Sequence, residues 1–320
     1  MSRFSRMSIV FRRLLGTAIV LVGVVSTVFV VQRIVPGDPA EILLGDHATP
    51  QQLEALRERM GLNQPLTEQY LDVWKGILDG TLGTSQENAD RPRTVMSVLR
   101  EHAPATVELA LAGVVFALMI ALPLGVISGL RPWSAWDQGS AVLALAGVAI
   151  PNFFLGPLLL HWFSVEIHLF PDPGQPLAGL STLILPALVL GTALAAKLTR
   201  MIRASVLDQV NAPHVLAARS RGLSSSRIVI HYILRGAMVP VVTILALQFA
   251  SLLTGTIVLE KVFARPGLGS LLLDGVASRN HTLVQGIVLL FSFAYVFVNG
   301  LADVVHTALD PRLRLGGGHA

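Results

Sequence analysis

The hydrophobic pattern of the chain is a series of long apolar runs separated by polar stretches. Each run nearly reaches or exceeds the length that a helix needs to cross about 30 Å of hydrocarbon. The runs cover residues 14–31, 105–130, 140–163, 180–199, 236–259 and 283–309. Four arginines precede the first run, and no small-residue cleavage site follows it. This run therefore predicts an uncleaved first span rather than a signal peptide.

The long polar segment 32–102 predicts short helices that pack on the outer face of the membrane domain. Thr49 and Gln52 have the spacing of a capping box, with Pro50 at the first helical position. This helix is expected to reach Met60 and to stop at Gly61. The apolar residues of segment 66–79 recur at helical spacing, which predicts a second helix that ends before Gly80.

The last part of that segment, residues 93–102, also has a helical pattern. Val95, Val98, Leu99 and His102 fall along one side. Such a one-sided pattern is typical of a helix that lies on the membrane surface.

A second polar stretch, the basic island Lys197–Arg235, separates the fourth and fifth apolar runs. It contains seven basic residues and one acid, Asp208. A helical pattern ends at Gly222, the residue type that most easily takes the left-handed conformation that closes a helix. Serines 224–226 can cap a second helix from about Arg227. The island therefore predicts a helix–turn–helix that is too charged to cross a bilayer.

Composition agrees with an integral membrane protein. The 320 residues are 52% hydrophobic and 14% charged, with a mean hydropathy of +0.64. Soluble domains have about 25% charged residues, so no sizeable soluble domain is expected. The net charge of +4 does not indicate nucleic acid, because the arginines cluster at the ends of apolar runs. The sequence has no cysteine, which excludes disulfides, thiolate metal sites and cysteine nucleophiles.

Positive charge predicts the orientation of the chain. With six spans, fourteen Lys and Arg residues fall on one side, and the short loops of the other side hold three. The positive-inside rule then places both termini and the basic island in the cytoplasm, and segment 32–102 outside.

Catalytic signatures are missing from the sequence. It contains no phosphate-binding Walker loop and no H-E-x-x-H zinc motif, and its nine histidines lack metal-ligand spacing. Ser270 lacks the G-x-S-x-G context of a hydrolase. A membrane-embedded hydrolase is therefore disfavoured, and ATP hydrolysis by this chain is not expected.

Polar residues inside the apolar runs are candidates for a translocation pathway or gate. Asn299, Asp303 and His306 share one face of the last run, and Gln248 lies in the fifth. Intramembrane polar groups usually face protein or water. In one interpretation these residues line a translocation pathway or gate. In the other they form interhelical hydrogen bonds, and Asp303 meets an arginine of the island. Both interpretations stay open.

The island resembles the cytoplasmic coupling loop of ABC importer permeases. That loop has the pattern Glu-Ala-Ala, three residues and Gly, followed by a hydrophobic–Pro pair. The matching residues are Leu216-Ala217-Ala218-Arg219-Ser220-Arg221-Gly222 and Met238-Val239-Pro240. Leu216 departs from the pattern because it occupies the position of the glutamate.

The resemblance covers nearly the whole chain and is strongest to the B-type subunit of dipeptide and oligopeptide permeases. The stretches that carry it are 36–39 (PGDP), 61–65 (GLNQP), 69–71 (QYL), 82–85 (LGTS), 104–106 (PAT), 219–223 (RSRGL), 260–269 (EKVFARPGLG) and 310–312 (DPR). Each stretch is weak by itself, but their common order is specific.

The resemblance implies an all-α membrane subunit with the type I ABC importer permease fold and six transmembrane helices, in the inner membrane of a bacterium. It implies four partners: a homologous C-type permease subunit, two cytoplasmic ATPases that bind ATP-Mg, and an extracytoplasmic solute-binding protein. No cofactor belongs to this chain itself. The short helix of the loop is expected to dock in a groove of an ATPase. The residues assigned to this ATPase-coupling loop are Leu216, Ala217, Ala218, Arg219, Arg221, Gly222 and Leu223.

This interpretation divides the chain into four parts. Residues 1–31 are the N-terminus and first span, and 32–102 the extracytoplasmic helical segment. Residues 103–310 are a core of five spans with the coupling loop at 200–235, and 311–320 a cytoplasmic tail.

Peptides are the implied cargo, although similar permeases carry nickel chelates, glutathione or sugars. An ion-gradient-driven secondary transporter is the alternative class. It would favour inverted repeats and paired intramembrane carboxylates, whereas only Asp303 lies deep in a span.

Overall fold

The computed structural model describes residues 3–34, 37–44, 48–85, 93–174 and 179–309, and it is almost entirely helical. The helices are α1 (Arg3–Ile34), α2 (Pro39–Leu44), α3 (Pro50–Arg59), α4 (Leu66–Leu78), α5 (Val95–Leu130), α6 (Ala135–Ala149), α7 (Asn152–Leu160), α8 (Ser181–Val210), α9 (Pro213–Ser220), α10 (Ser225–Ile228), α11 (Leu234–Val262), α12 (Leu268–Ala277) and α13 (His281–Leu309). Two short strands, β1 (Thr84–Ser85) and β2 (Arg93–Thr94), pair antiparallel. π-Helical turns extend α7 over His161–Glu166 and join α10 to α11 over Val229–Ile233.

The chain divides into two compact units. The first unit comprises Met1–Ala105 and Pro266–Val296, and the second comprises Thr106–Arg265 and Phe297–Ala320. The boundaries therefore fall inside α5 and α13.

In the first unit, the polar segment after α1 contains the two predicted helices. The capping box at the start of α3 is confirmed: Thr49 accepts from the backbone N–H of Gln52, and the Gln52 side chain accepts from that of Thr49. Helix α4 packs against α1. Its Tyr70 shares a hydrogen bond of 2.9 Å with Ser26, and the Phe29 and Tyr70 rings meet edge to face.

The predicted surface helix over 93–102 is wrong as a separate element. Residues 93–94 form β2, and residues 95–102 are the first turns of the continuous helix α5. Val95, Val98 and Leu99 are buried in a hydrophobic cluster with residues of α12 and α13. The one-sided apolar pattern therefore faces protein rather than the membrane surface.

The second unit is built around α8, which packs against α6, α7 and α11. Leu190, Leu198, Ile202 and Val206 on α8 are at most 1% exposed and form the middle of its hydrophobic core. Such burial on several sides is expected of a central helix in a bundle.

Helix α5 approaches α8 along a stripe of small residues. The stripe is Gly113, Ala117, Ala121, Gly125 and Gly129, each four positions from the next. A Cβ placed on Gly125 would lie 2.7 Å from the Cβ of Ile202, and one on Gly129 would lie 2.7 Å from that of Val206. Helices in lipid associate through such close packing, because the surrounding chains are as apolar as the helix surface.

The second apolar run of the core, predicted as one span over 140–163, is sharply bent instead. Helices α6 and α7, with its π-helical extension, meet at 98° across residues 150–151. Pro151 disfavours helical backbone at the preceding residue, and Ile150 is extended, with ψ of 116°.

Among the described residues, four helices are long and apolar enough to cross a membrane: α5, α8, the helix from Ser225 to Phe249, and α13 to Leu301. The bent pair makes a fifth if it counts as one span. The apolar part of α1, Ala18–Ile34, is shorter than these. The described part of the chain thus contains several apolar helices, and the predicted number of six spans stays a prediction.

Candidate functional site

The middle of the basic island is the short helix α9. It begins at Pro213, where proline costs nothing because the first N–H groups of a helix have no intrahelical partner. Val215 and Ala218, three positions apart on one face, are buried in the hydrophobic core of the second unit. Helix α9 is therefore fastened to the same core that holds α8 and α11.

The outer face of α9, defined here as Leu216, Ala217 and Arg219 together with Arg221 in the turn that follows the helix, is exposed. Leu216 has 49% of its surface exposed, whereas the preceding residue, Val215, is fully buried. One apolar side chain, one methyl group and two guanidinium groups thus lie next to one another. Such a surface suits a partner groove that combines apolar and acidic groups.

The turn that ends α9 is a Schellman motif. The N–H of Gly222 donates to the carbonyl oxygen of Arg219 at 2.9 Å, and that of Leu223 donates to Ala218 at 3.4 Å. Gly222 has a φ of +72°, so the predicted left-handed glycine is confirmed. A Cβ on Gly222 would meet nothing within 4 Å, which leaves backbone strain as the cost of a substitution.

The second helix of the island begins slightly earlier than predicted. Helix α10 starts at Ser225, and Ser224 at the cap position makes no side-chain cap hydrogen bond. Ile228 and Ile233 are buried in the core, and Leu223 packs against it. The island therefore forms a helix–turn–helix with both arms packed on the core.

A buried ion pair that the sequence did not predict ties the island to α6. Asp137 is 5% exposed and receives two hydrogen bonds from Arg203, of 2.5 and 2.8 Å. The backbone N–H of Trp133 donates to the same carboxylate at 2.9 Å. Sixty-six positions separate the two charges, so no local pattern reveals the pair. Arginine–carboxylate pairs with two hydrogen bonds fix orientation as well as distance.

Asp137→Asn is expected to lower the free energy of unfolding by about 1–3 kcal/mol. Loss of one partner of a fully buried pair costs more, but the Arg203 side chain is 30% exposed, and water compensates part of its charge. Thermal unfolding in detergent measures the change. Asp72→Asn is the matched control, because Asp72 pairs with Lys75 at an exposed position and should change stability little. Equal effects of the two substitutions would contradict the importance of the buried pair.

The structure places the predicted pathway residues on two helices, Gln248 on α11 and Asn299 and Asp303 on α13. The Gln248 side chain accepts a hydrogen bond of 3.1 Å from Lys197, on the neighbouring helix α8. Asn299 is half-buried on α13. Asp303 lies in α13, but its side chain is outside the described residues, so its predicted meeting with an island arginine stays a prediction. Arg203 of the island pairs with Asp137.

The stretch after α11, which the resemblance singled out, forms a polar cluster at the end of that helix. Glu260 is fully buried and accepts a hydrogen bond of 2.7 Å from Thr106. The backbone N–H of Arg265 donates to the backbone carbonyl oxygen of Glu260 at 2.8 Å. The guanidinium Nη2 of Arg265 lies 3.5 Å from the carboxylate Oε2 of Glu108. Burial lowers the pKa of Arg265, and the charges of Glu108 and Glu260 oppose that shift.

Several apolar helices of membrane-spanning length, with the short helix α9 between α8 and α11, indicate a membrane protein. Comparison with known protein families identifies the class of membrane protein. The sequence matches the family described as binding-protein-dependent transport system inner membrane component over residues 121–315, and its N-terminal component over residues 6–110. The chain belongs to this family of ABC importer permeases and is a transporter subunit of the inner membrane.

Similar proteins include the glutathione transport system permease protein GsiC. The Escherichia coli K12 protein is 37% identical over 307 residues, which is 95% of this chain and 98% of the relative. The Salmonella choleraesuis SC-B67 protein is 36% identical over 307 residues, again 95% of this chain and 98% of the relative.

Solved structures with a similar fold are also ABC transporters. An inward-facing structure of the MetNI methionine ABC transporter has a TM-score of 0.54 and 19% identity, and the match covers 67% of this chain and 97% of that one. The structure of an amino acid ABC transporter with histidines has a TM-score of 0.51 and 13% identity. That match covers 66% of this chain and 94% of the other. These likenesses support the predicted permease fold.

Proposed function

We propose that this chain forms half of the translocation pathway of an ATP-driven, binding-protein-dependent importer of small peptides. The support is the 37% identity to a glutathione permease over 95% of the chain, since glutathione is itself a tripeptide. In this proposal the second half is a homologous C-type permease subunit. Two cytoplasmic ATPases bind ATP-Mg, and an extracytoplasmic protein delivers the cargo.

The observation that carries the coupling proposal is the placement of α9. Its inner side is anchored through Val215 and Ala218, and its outer face is open to a partner. A helix used as a mechanical link must be rigid towards its own subunit and accessible towards the motor, and α9 meets both requirements. Leu216, Ala217, Arg219 and Arg221 would enter the groove of the ATPase, while Ala218, Gly222 and Leu223 set the shape of the turn.

In this proposal the basic island and both termini are cytoplasmic, and residues 32–102 lie outside. The four-part division into 1–31, 32–102, 103–310 and 311–320 describes the roles of the chain. Gln248, Asn299 and Asp303 are proposed pathway or gate residues. The basis is that intramembrane polar groups usually face protein or water.

Gly222→Val tests the coupling proposal. An L-residue in the left-handed conformation costs about 1–2 kcal/mol, which corresponds to a roughly 5–30-fold change in the equilibrium constant between the native turn and its alternatives. We expect the complete transporter to take up at least about fivefold less peptide for each ATP hydrolysed. Uptake into proteoliposomes and phosphate release, measured on one preparation, give this ratio.

Gly80→Val is the matched control, because Gly80 has a φ of +74° and also has nothing within 4 Å of an added Cβ. The two variants impose similar strain at different turns. An uptake-to-ATP ratio that falls equally in both, or in neither, would argue against a coupling role for the Gly222 turn.

A further inference from the structure

One side of the central helix α8 is exposed, and that side is charged. All thirty residues of α8 are described, and four of them are exposed: Lys197, Arg200, Ala204 and Asp208. These four recur at intervals of three or four positions, so they lie along one side of the helix. This set is called the α8 stripe below. Every other residue of α8 is buried or half-buried, so the stripe is the surface through which α8 meets its surroundings.

The packing of α8 against α11 gives the depth of the stripe. Three neighbouring pairs share one antiparallel register: Gln209 with Gly236, Lys197 with Gln248 and Leu190 with Gly255. The first two pairs are twelve positions apart along either helix, 197 to 209 and 236 to 248, which is about 18 Å. Gln248 lies at the middle of the fifth apolar run, 236–259, which contains no charged residue. Lys197 is the first residue of the basic island, but its neighbour on α11 is uncharged on either side.

The Lys197 side chain is directed away from the polar end of α8. Side chains on an α-helix lean towards its N-terminus, whereas the rest of the island follows towards the C-terminus of α8. The Lys197 ammonium donates to Oε1 of Gln248 at 3.1 Å. A lysine near the end of a span usually extends its ammonium into the polar interface instead. An ammonium group has three N–H donors, so the bond to Gln248 leaves it able to bind an anion as well.

Charge at this depth requires a polar environment beside the helix. Hydrocarbon chains do not solvate an ammonium or a guanidinium group, so charged residues in spans face protein or water. Lys197 and Arg200 are three positions apart, which makes them neighbours on the stripe that repel each other. A bound anion would offset this repulsion. Ala204, the next position of the stripe, carries only a methyl group, so it does not cover the surface beside Arg200.

We infer that the α8 stripe lines the part of the peptide path that leads to the cytoplasm, and that Lys197 and Arg200 bind the carboxylate of the cargo there. The inference rests on the proposed function, and it names the substrate class: peptides with a free C-terminal carboxylate. Two neighbouring cations attract a carboxylate, and their exposure keeps that attraction weak. A translocation path needs this balance, because cargo must leave it as well as enter.

The sequence has no cysteine, so a single introduced thiol can report whether water reaches the stripe. The transporter is assembled with its partner subunits in nanodiscs, and labelling of this chain by a charged methanethiosulfonate reagent is read from its mass. Such reagents attack the thiolate, which forms poorly in apolar surroundings. We expect Lys197→Cys to react at least about tenfold faster than Leu145→Cys. Leu145 is the control, because it is 69% exposed on the apolar helix α6 and would contact lipid.

Ala204→Cys places the thiol beside the two cations and leaves both in place. This thiol should prefer the anionic sulfonatoethyl reagent to the cationic trimethylammonium-ethyl reagent, and Arg200→Gln should lower that rate ratio roughly threefold. Arg131→Gln, which removes an exposed arginine outside the stripe, should not change the ratio. Alanylalanine should lower the ratio as Arg200→Gln does, because its carboxylate would neutralise the cations. Alanylalanine amide lacks the carboxylate and should leave the ratio unchanged.

Equal labelling of Lys197→Cys and Leu145→Cys would overturn the inference, because the stripe would then face lipid or another protein. A ratio that Arg200→Gln leaves unchanged, or that the two peptides affect equally or not at all, would overturn the binding of a carboxylate. Peptide uptake by the complete transporter with its solute-binding protein separates these failures from that of the proposed function. If wild type imports peptide while the labelling results fail, only the role of the stripe is wrong. If wild type imports no peptide, the proposed function fails.

Discussion

Gly125→Leu is expected to be among the most damaging single substitutions in the second unit, with a loss of about 3 kcal/mol or more in the free energy of unfolding. A Cβ alone at this position would lie 2.7 Å from the Cβ of Ile202 and 2.9 Å from the backbone oxygen of Thr199. Backbone cannot rotate away as a flexible side chain can, so α5 and α8 would have to separate. Thermal unfolding in detergent and the yield of folded protein from membranes measure the effect.

The control for this prediction is Gly139→Leu. Gly139 is in a helix as well, but an added Cβ there meets nothing within 4 Å. Leucine should even improve the local helix propensity by up to about 1 kcal/mol. If both variants unfold at the same temperature, close contact between α5 and α8 is not what stabilises this part of the bundle.

Ala217→Glu is expected to prevent the ATPases from remaining bound to the permease. Ala217 lies on the outer face of α9, and a glutamate there adds both bulk and a charge that must be desolvated in a groove. Substitutions at the centre of an interface often cost about 2–4 kcal/mol, which corresponds to a roughly 30–1,000-fold weaker association. Co-purification of the ATPases with a tagged permease measures this association, and peptide uptake should fall in parallel.

Ala204→Glu provides the same chemical change at an exposed position of α8 in the basic island. Each variant adds one negative charge to the island, so a general electrostatic effect would appear in both. ATPases that co-purify with Ala217→Glu as well as with wild type would count against docking at the outer face of α9.

Sequence reasoning predicted the features that depend on nearby residues. The capping box at Thr49 and the left-handed turn at Gly222 each follow from residue types within a few positions, and the structure confirms both. The location of most apolar helices also follows from the sequence, because the required length is set by the thickness of the membrane.

Features that depend on distant residues were missed. The pairing of Asp137 with Arg203 arises only when α6 and α8 pack together. The small-residue stripe of α5 is visible in the sequence, but its meaning depends on the side chains of α8 that face it. The bend at residues 150–151 was not predicted either, because apolar content alone does not distinguish one straight span from two short helices.

The anchoring of α9 has a thermodynamic consequence. Val215 and Ala218 share one hydrophobic core with α8 and α11, so any rearrangement of those helices changes the position or the strain of α9. Coupling between two binding events is reciprocal: if nucleotide binding by the ATPases alters the affinity of the permease for cargo by some factor, cargo must alter their affinity for nucleotide by the same factor. A saturating peptide should therefore shift nucleotide affinity of the intact complex, and loosening the α9 anchor should diminish both effects together.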